Sequence, residues 1–268
     1  MISALSKVTL LAASTLLLGA CAQSPTGRSQ MLLFSPQQMN QLGADSFNQM
    51  KQQEKVSKDA KLNAYVSCVA KAVTAQVPSS YGISNWEVVV FDSKQVNAFA
   101  LPGGKIGVYS GLLNVAKNQD QLATVIGHEL THVLAQHSNE RLSRDQLTGL
   151  GLAVADAALG SSQGSGAAMA ALGLGVQVGV SLPYGREQES EADRLGLDLM
   201  ARAGFNPAEA IPLWQNMGQA AGGKTPPALL STHPSNESRI SELSAELATA
   251  TPLYQQARAA GLTPQCKR

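Results

Sequence analysis

Apolar residues recur along the chain at two periods, and each change of period marks an element. Leu62, Tyr65, Val66, Val69 and Val73 fall at steps of three and four, the spacing of one buried helical face, and predict a core helix over 58–77. Ahead of it, Ser35-Pro36-Gln37-Gln38 offers a capping serine, a proline at the first helical position and a glutamine that closes a capping box. A helix should therefore run from there to about Val56. The run Val88-Val89-Val90-Phe91 and the stretch from Ile106 to Tyr109 read as strands, with Gly103-Gly104 turning between strand segments. Helix formers then extend without proline from Asp120 through Gln136. Leu195, Leu197, Leu199 and Met200 belong to a later helix that should stop at Gly204, a residue suited to a left-handed cap. Asn206-Pro207 opens another helix to about Ala220, and one or two amphipathic helices fill 236–260. The pattern is that of an α+β fold, mainly helical with a small sheet.

Two regions depart from it. Residues 148–182 are rich in Gly and Ala, with Asp156 their only charge, and Ser161-Ser162-Gln163-Gly164-Ser165-Gly166 interrupts the apolar run. Neither half is long enough for an easy membrane span, so two buried or cleft-covering helices fit better than a membrane-dipping hairpin. At the other departure, Lys7 precedes an almost wholly apolar stretch from Val8 to Leu18, and Leu18-Gly19-Ala20-Cys21 reads as a bacterial lipoprotein box. The organisation expected is a signal peptide over 1–20, a tether over 21–33, one enzyme-sized domain over 34–262 and a short tail over 263–268. Cys21 would carry the lipid, whose acyl chains anchor a protein without a transmembrane helix. Ala22 after it favours the outer membrane facing the periplasm.

Composition changes this picture little. Twenty basic against nineteen acidic residues leave a net charge of +1, which argues against nucleic acid as a partner. Of three cysteines, Cys68 and Cys266 remain after Cys21. In an oxidising compartment they could pair and tie the tail to the second helix, or Cys68 could simply be a small buried residue.

The candidate chemistry lies in His128-Glu129-Leu130-Thr131-His132, which holds two of the chain's four histidines. Positions four apart share a helical face, so both imidazoles can meet one ion, while Glu129 is rotated beside it as a general base for a metal-bound water. Two histidines need a third protein ligand. His137 lies five residues past His132, off the register of a metzincin, and reads as a helix-end or structural histidine. Further on, Glu187-Gln188-Glu189-Ser190-Glu191-Ala192-Asp193 looks on composition alone like a solvated acidic face. Its spacing nevertheless places Glu189 and Asp193 together, one able to ligate and the other to orient a ligand histidine.

These motifs in combination resemble the gluzincin zinc metallopeptidases of the HtpX/BepA/LoiP type. The likeness extends to Asn97-Ala98-Phe99-Ala100-Leu101-Pro102-Gly103-Gly104 with Ser110-Gly111-Leu112-Leu113, and to Thr232-His233-Pro234 followed by Arg239, covering about residues 26–245. The resemblance implies a zincin-like domain whose sheet edge borders the active-site cleft, with one zinc per chain held by His128, His132 and Glu189. Glu191 falls at the variable position of the motif. His233 corresponds to a histidine that either occupies the zinc's fourth position and holds the enzyme latent or donates to the oxyanion. The activity implied is endopeptidase cleavage of unfolded or misfolded envelope proteins, with the membrane met through the N-terminal lipid and the outer-membrane assembly machinery a further partner by resemblance. The rival reading is a non-proteolytic or latent chaperone-like scaffold with a structural zinc site.

Overall fold

The computed structural model describes residues 21–158, 184–222, 228–233 and 238–268. The signal segment, most of the Gly/Ala-rich region beyond Ala158, the loop 223–227 and the stretch 234–237 lie outside the described residues.

Helix α1 (Pro36–Gln53) starts where the capping box places it: Ser35 accepts from the Gln38 amide and the Gln38 side chain accepts in return from the Ser35 amide. It ends before the expected Val56, which instead bridges to Phe91. Helix α2 (Ala60–Thr74) is capped by Asp59 and buries Tyr65, Val66, Val69, Ala70 and Val73, the face read from the periodicity. Strands β3 (Glu87–Phe91), β4 (Ala98–Leu101) and β5 (Lys105–Tyr109) form a sheet in the order β3-β5-β4, with β5 parallel to β3 and antiparallel to β4. Gly103 and Gly104 turn the chain between β4 and β5 at φ of 81° and 76°, a region that side-chain-bearing residues rarely adopt. One sheet face packs on α2. Phe47 of α1 meets Phe91, Phe99 and Tyr109 in a second aromatic core.

Helix α3 (Gln119–Leu134) carries the HExxH segment and is buried along nearly its whole length. Gln136 breaks it with φ 56°, the sole positive φ of a non-glycine among the described residues, so the helix does not continue through Gln136 as the sequence suggests. Helix α4 (His137–Ala158) departs in a new direction, and α5 (Arg186–Arg202) lies against α3. Gly204 closes α5 at φ 85°, and Asn206 caps the turn into α6 (Ala210–Ala221). A short helix α7 (Ala228–Thr232) leads to His233, and of the one or two helices expected in the C-terminal region a single one, α8 (Arg239–Ala259), is present.

The stretch expected as a tether contains a hairpin, β1 (Cys21–Gln23) with β2 (Ser29–Met31), which docks on α4 and α5. The last residues are also fastened, because Cys68 and Cys266 form a disulfide. No helix among the described residues is long and apolar enough to cross a membrane.

Candidate active site

Two helices build the site, and two glycines allow it. Gly127 of α3 and Gly196 of α5 face each other so closely that a Cβ on Gly196 would sit 2.7 Å from the His128 amide nitrogen. The backbones touch there, and the ligands on each side can meet. His128 and His132, one turn apart, bring their Nε2 atoms to 3.1 Å. Glu189 reaches across from α5, with Oε2 3.6 Å from His128 Nε2 and Oε1 3.5 Å from His132 Nε2. His233 adds Nδ1, 2.9 Å from Glu189 Oε1 and 3.2 Å from His128 Nε2. These four donors lie within 4.8 Å of one another and all are buried. Three imidazoles and a carboxylate in a closed pocket are a donor set that suits zinc.

The surroundings fix each donor. Asp193, one turn beyond Glu189, accepts from His128 Nδ1 at 2.9 Å, which leaves Nε2 to face the cluster. Arg239 grips both carboxylates, donating to Glu189 Oε2 at 3.1 Å and to Asp193 Oδ1 at 2.7 Å, with its guanidinium 3.5 Å above the Trp214 ring. Burial works against the charge of Asp193, yet Arg239 and His128 outweigh it and hold its carboxyl below the ordinary value. Burial likewise opposes ionised Glu189, and His128, His233 and Arg239 together keep it low. Tyr184 stacks on His132 at 3.8 Å between ring centres, and burial, with His128, His233, His137 and Arg141 close by, pushes His132 well below its usual titration range.

Glu129 sits beside the cluster, 3% exposed. Its Oε1 has no hydrogen-bond partner among the described residues, although His233 Nε2 lies 3.3 Å away. Burial raises its pKa, opposed by His233, His128 and the Ala100 amide of edge strand β4. A carboxylate so placed, with its proton affinity raised by burial, is suited to proton transfer.

The structure thus brings His128, Glu129, His132, Glu189, Asp193 and His233 into one site. Glu191 stands apart, turned away towards the N-terminal hairpin, and His137 lies outside the donor set. Tyr184 and Trp214 gave no signal in the sequence. Arg239 did, as the last residue of the Thr-His-Pro segment, but its grip on two carboxylates from different turns of α5 needs the fold to be seen.

Comparison with known proteins agrees with this geometry. The model of peptidase family M48 matches residues 56–247. The mitochondrial metalloendopeptidase OMA1 of Schizosaccharomyces pombe is 38% identical over 67% of this chain and 51% of its own length. The human metalloendopeptidase OMA1 is 31% identical over 81% of this chain and 44% of its own. The beta-barrel assembly-enhancing protease of Escherichia coli is 28% identical over 75% of this chain and 42% of its own. The chain spans about half the length of the curated relatives it matches.

Proposed function

The chain belongs to peptidase family M48, and from that premise we propose that it is a zinc-dependent endopeptidase acting on unfolded or misfolded proteins of the bacterial envelope. The observation that carries this reading is the convergence of His128, His132 and Glu189 beside Glu129, whose Oε1 has no hydrogen-bond partner among the described residues. His128, His132 and Glu189 would hold zinc, which when bound would supply Lewis acidity to the scissile carbonyl and to water. Glu129 takes the proton of the attacking water and later delivers it to the leaving amine, and its raised pKa brings it closer to the protonation balance both steps need. Asp193 keeps the His128 ring in the ligating tautomer, and Arg239 holds Glu189 and Asp193 at a fixed separation.

Edge strand β4, whose Ala100 amide reaches Glu129, supports peptide binding by strand addition. Main-chain pairing of that kind is largely blind to side chains and suits unfolded substrates. The segment carrying His233 crosses the same approach, since the Leu229 amide donates to the Val96 carbonyl at 3.1 Å and the Tyr184 amide to Thr232 at 3.0 Å. His233 in the donor set closes the site, so this arrangement is a latent one from which His233 must withdraw. The lipoprotein box at Leu18–Cys21 favours a lipid-anchored envelope location over the mitochondrial one named for the OMA1 relatives. Contact with the outer-membrane assembly machinery draws only on the name of the Escherichia coli relative.

The test is casein hydrolysis by wild type and Glu129→Gln. The variant should retain zinc and lose hydrolysis by at least about 10²-fold; near-native turnover would remove Glu129 from the chemistry. A second reading, a scaffold with a structural zinc, is favoured by the four buried donors alone. Release of activity in His233→Ala supports the latent enzyme and loss of wild-type activity supports an oxyanion donor, whereas wild type and His233→Ala that are both zinc-loaded and inert support the scaffold.

A further inference from the structure

The two histidines of the HExxH segment are steadied in different ways. His128 donates from Nδ1 directly to Asp193. His132 meets a second imidazole instead: its Nδ1 is 2.9 Å from His137 Nδ1, and His137 Nε2 is 3.2 Å from Glu191 Oε2. The abrupt end of α3 at Gln136 is what turns His137 back onto His132. An ionised carboxylate only accepts, so the proton between His137 and Glu191 belongs to His137 Nε2. His137 Nδ1 is then bare and accepts from His132 Nδ1–H, which leaves the His132 Nε2 lone pair facing the donor cluster. The tautomer of His132 is thus set from the far end of a buried relay: His132, His137 and Glu191 are 1%, 0% and 5% exposed.

Glu191 is itself held by the hairpin of β1 and β2. The Thr26 amide and hydroxyl donate to its Oε1 at 3.2 and 2.7 Å, and Arg28 Nε donates to Oε2 at 3.2 Å. The two terminal nitrogens of Arg28 form a fork on Glu140 of α4 at 2.7 and 2.8 Å. Both carboxylate oxygens of Glu191 therefore face donors, Oε1 the amide and hydroxyl of Thr26 and Oε2 the Arg28 guanidinium and His137 Nε2, so the group acts as an acceptor throughout.

We propose that this N-terminal hairpin is a positioning element of the metal centre, fixing Glu191 and, through His137, the tautomer and ring orientation of His132. The inference rests on the reading that His132 ligates zinc through Nε2. Partners behind a metal-bound histidine hold its ring and raise its basicity, and their loss lowers metal affinity about 10- to 100-fold. Here the outermost partners, Thr26 and Arg28, come from a segment more than a hundred residues before the histidine they support, His132.

The test uses the full chain, with zinc affinity measured by competition with a chromophoric chelator and the visible spectrum of cobalt-substituted protein recorded alongside. Arg28→Met and Glu191→Gln should each weaken zinc binding about 10-fold or more and shift the cobalt bands. In a His137→Phe background, Arg28→Met should cost no further affinity, because the relay is already cut. An Arg28→Met protein that melts earlier yet keeps wild-type zinc affinity and cobalt spectrum overturns the proposal, as do additive losses in the Arg28→Met and His137→Phe pair. If Arg28→Met does not fold, the near-isosteric Glu191→Gln carries the same readouts. His132→Ala with undiminished zinc affinity would instead sink the ligand assignment beneath the proposal.

Discussion

Replacing Gly196 by alanine probes the contact on which the site's geometry depends. The added Cβ would stand 2.7 Å from the His128 amide nitrogen and 2.9 Å from the Gly127 carbonyl carbon, both backbone atoms with no freedom to swing aside. Restoring an ordinary contact of 3.4 Å requires α3 and α5 to separate by about 0.7 Å. Two of the zinc donors ride on α3 and the third on α5, while metal–ligand distances tolerate only about 0.2 Å. Overpacking of this kind costs about 1–3 kcal/mol of stability. For a domain of this size that lowers Tm by roughly 2–10 °C. Zinc affinity should fall at least about 10-fold, as read by chelator competition, with the far-UV circular dichroism unchanged. Gly218→Ala, at a helical glycine with nothing within 4 Å, is the matched control and should melt no earlier than wild type. Wild-type zinc affinity and melting in Gly196→Ala would refute the claim that this helix crossing sets the ligand spacing.

Two further outcomes follow from other parts of the molecule. The Cys68–Cys266 disulfide joins residues 198 apart, and its loss should cost about 2–5 kcal/mol by constraining the unfolded chain less; the Cys68→Ala, Cys266→Ala protein should melt earlier with its zinc content unchanged, and an unaltered Tm by calorimetry would contradict this. Burial opposes the charge of Glu140, but Arg28 and Gln188 outweigh it and hold its pKa below the ordinary 4.5. A depressed carboxylate stabilises the fold fully above that value and loses its contribution as pH falls through the folded pKa. Protection of the hairpin amides, measured by hydrogen exchange corrected for its intrinsic pH dependence, should therefore fall as the solution is acidified below the ordinary value of 4.5, and Glu140→Gln should flatten that dependence; a wild-type hairpin that stays equally protected at acid pH would contradict it.

Much of the scaffold was legible because local signals and tertiary packing agree. The Ser35–Gln38 capping box, the apolar face of α2, the Gly103-Gly104 turn and the Gly204 cap each carry their reason within a few residues. The metal-binding half of the site was legible for the same reason, since His128, Glu129 and His132 share one helix and Glu189 and Asp193 another. What escaped the sequence depends on contacts between distant segments. Nothing near Gln136 announces that it will take a left-handed conformation and end α3, so His137 read as a helix-end or structural residue and not as the neighbour of His132. Glu191 looked like one of several acids on a solvated face because its partners, Thr26 and Arg28, lie about 165 residues earlier. The same separation made residues 21–33 read as a tether, although their short strands pair and their polar side chains are spent on buried acids. Gly127 and Gly196 are unremarkable in sequence, and only the crossing of their helices gives them a role.

The central claim is that side chains from α3 and α5 jointly hold one zinc ion that hydrolysis needs. Metal analysis with casein turnover on wild type and Glu189→Ala tests it most directly. Wild type should carry one zinc per chain and cleave casein, at least once His233→Ala has opened the site, and Glu189→Ala should lose both the metal and the cleavage. A Glu189→Ala protein with full zinc and undiminished turnover would contradict the account.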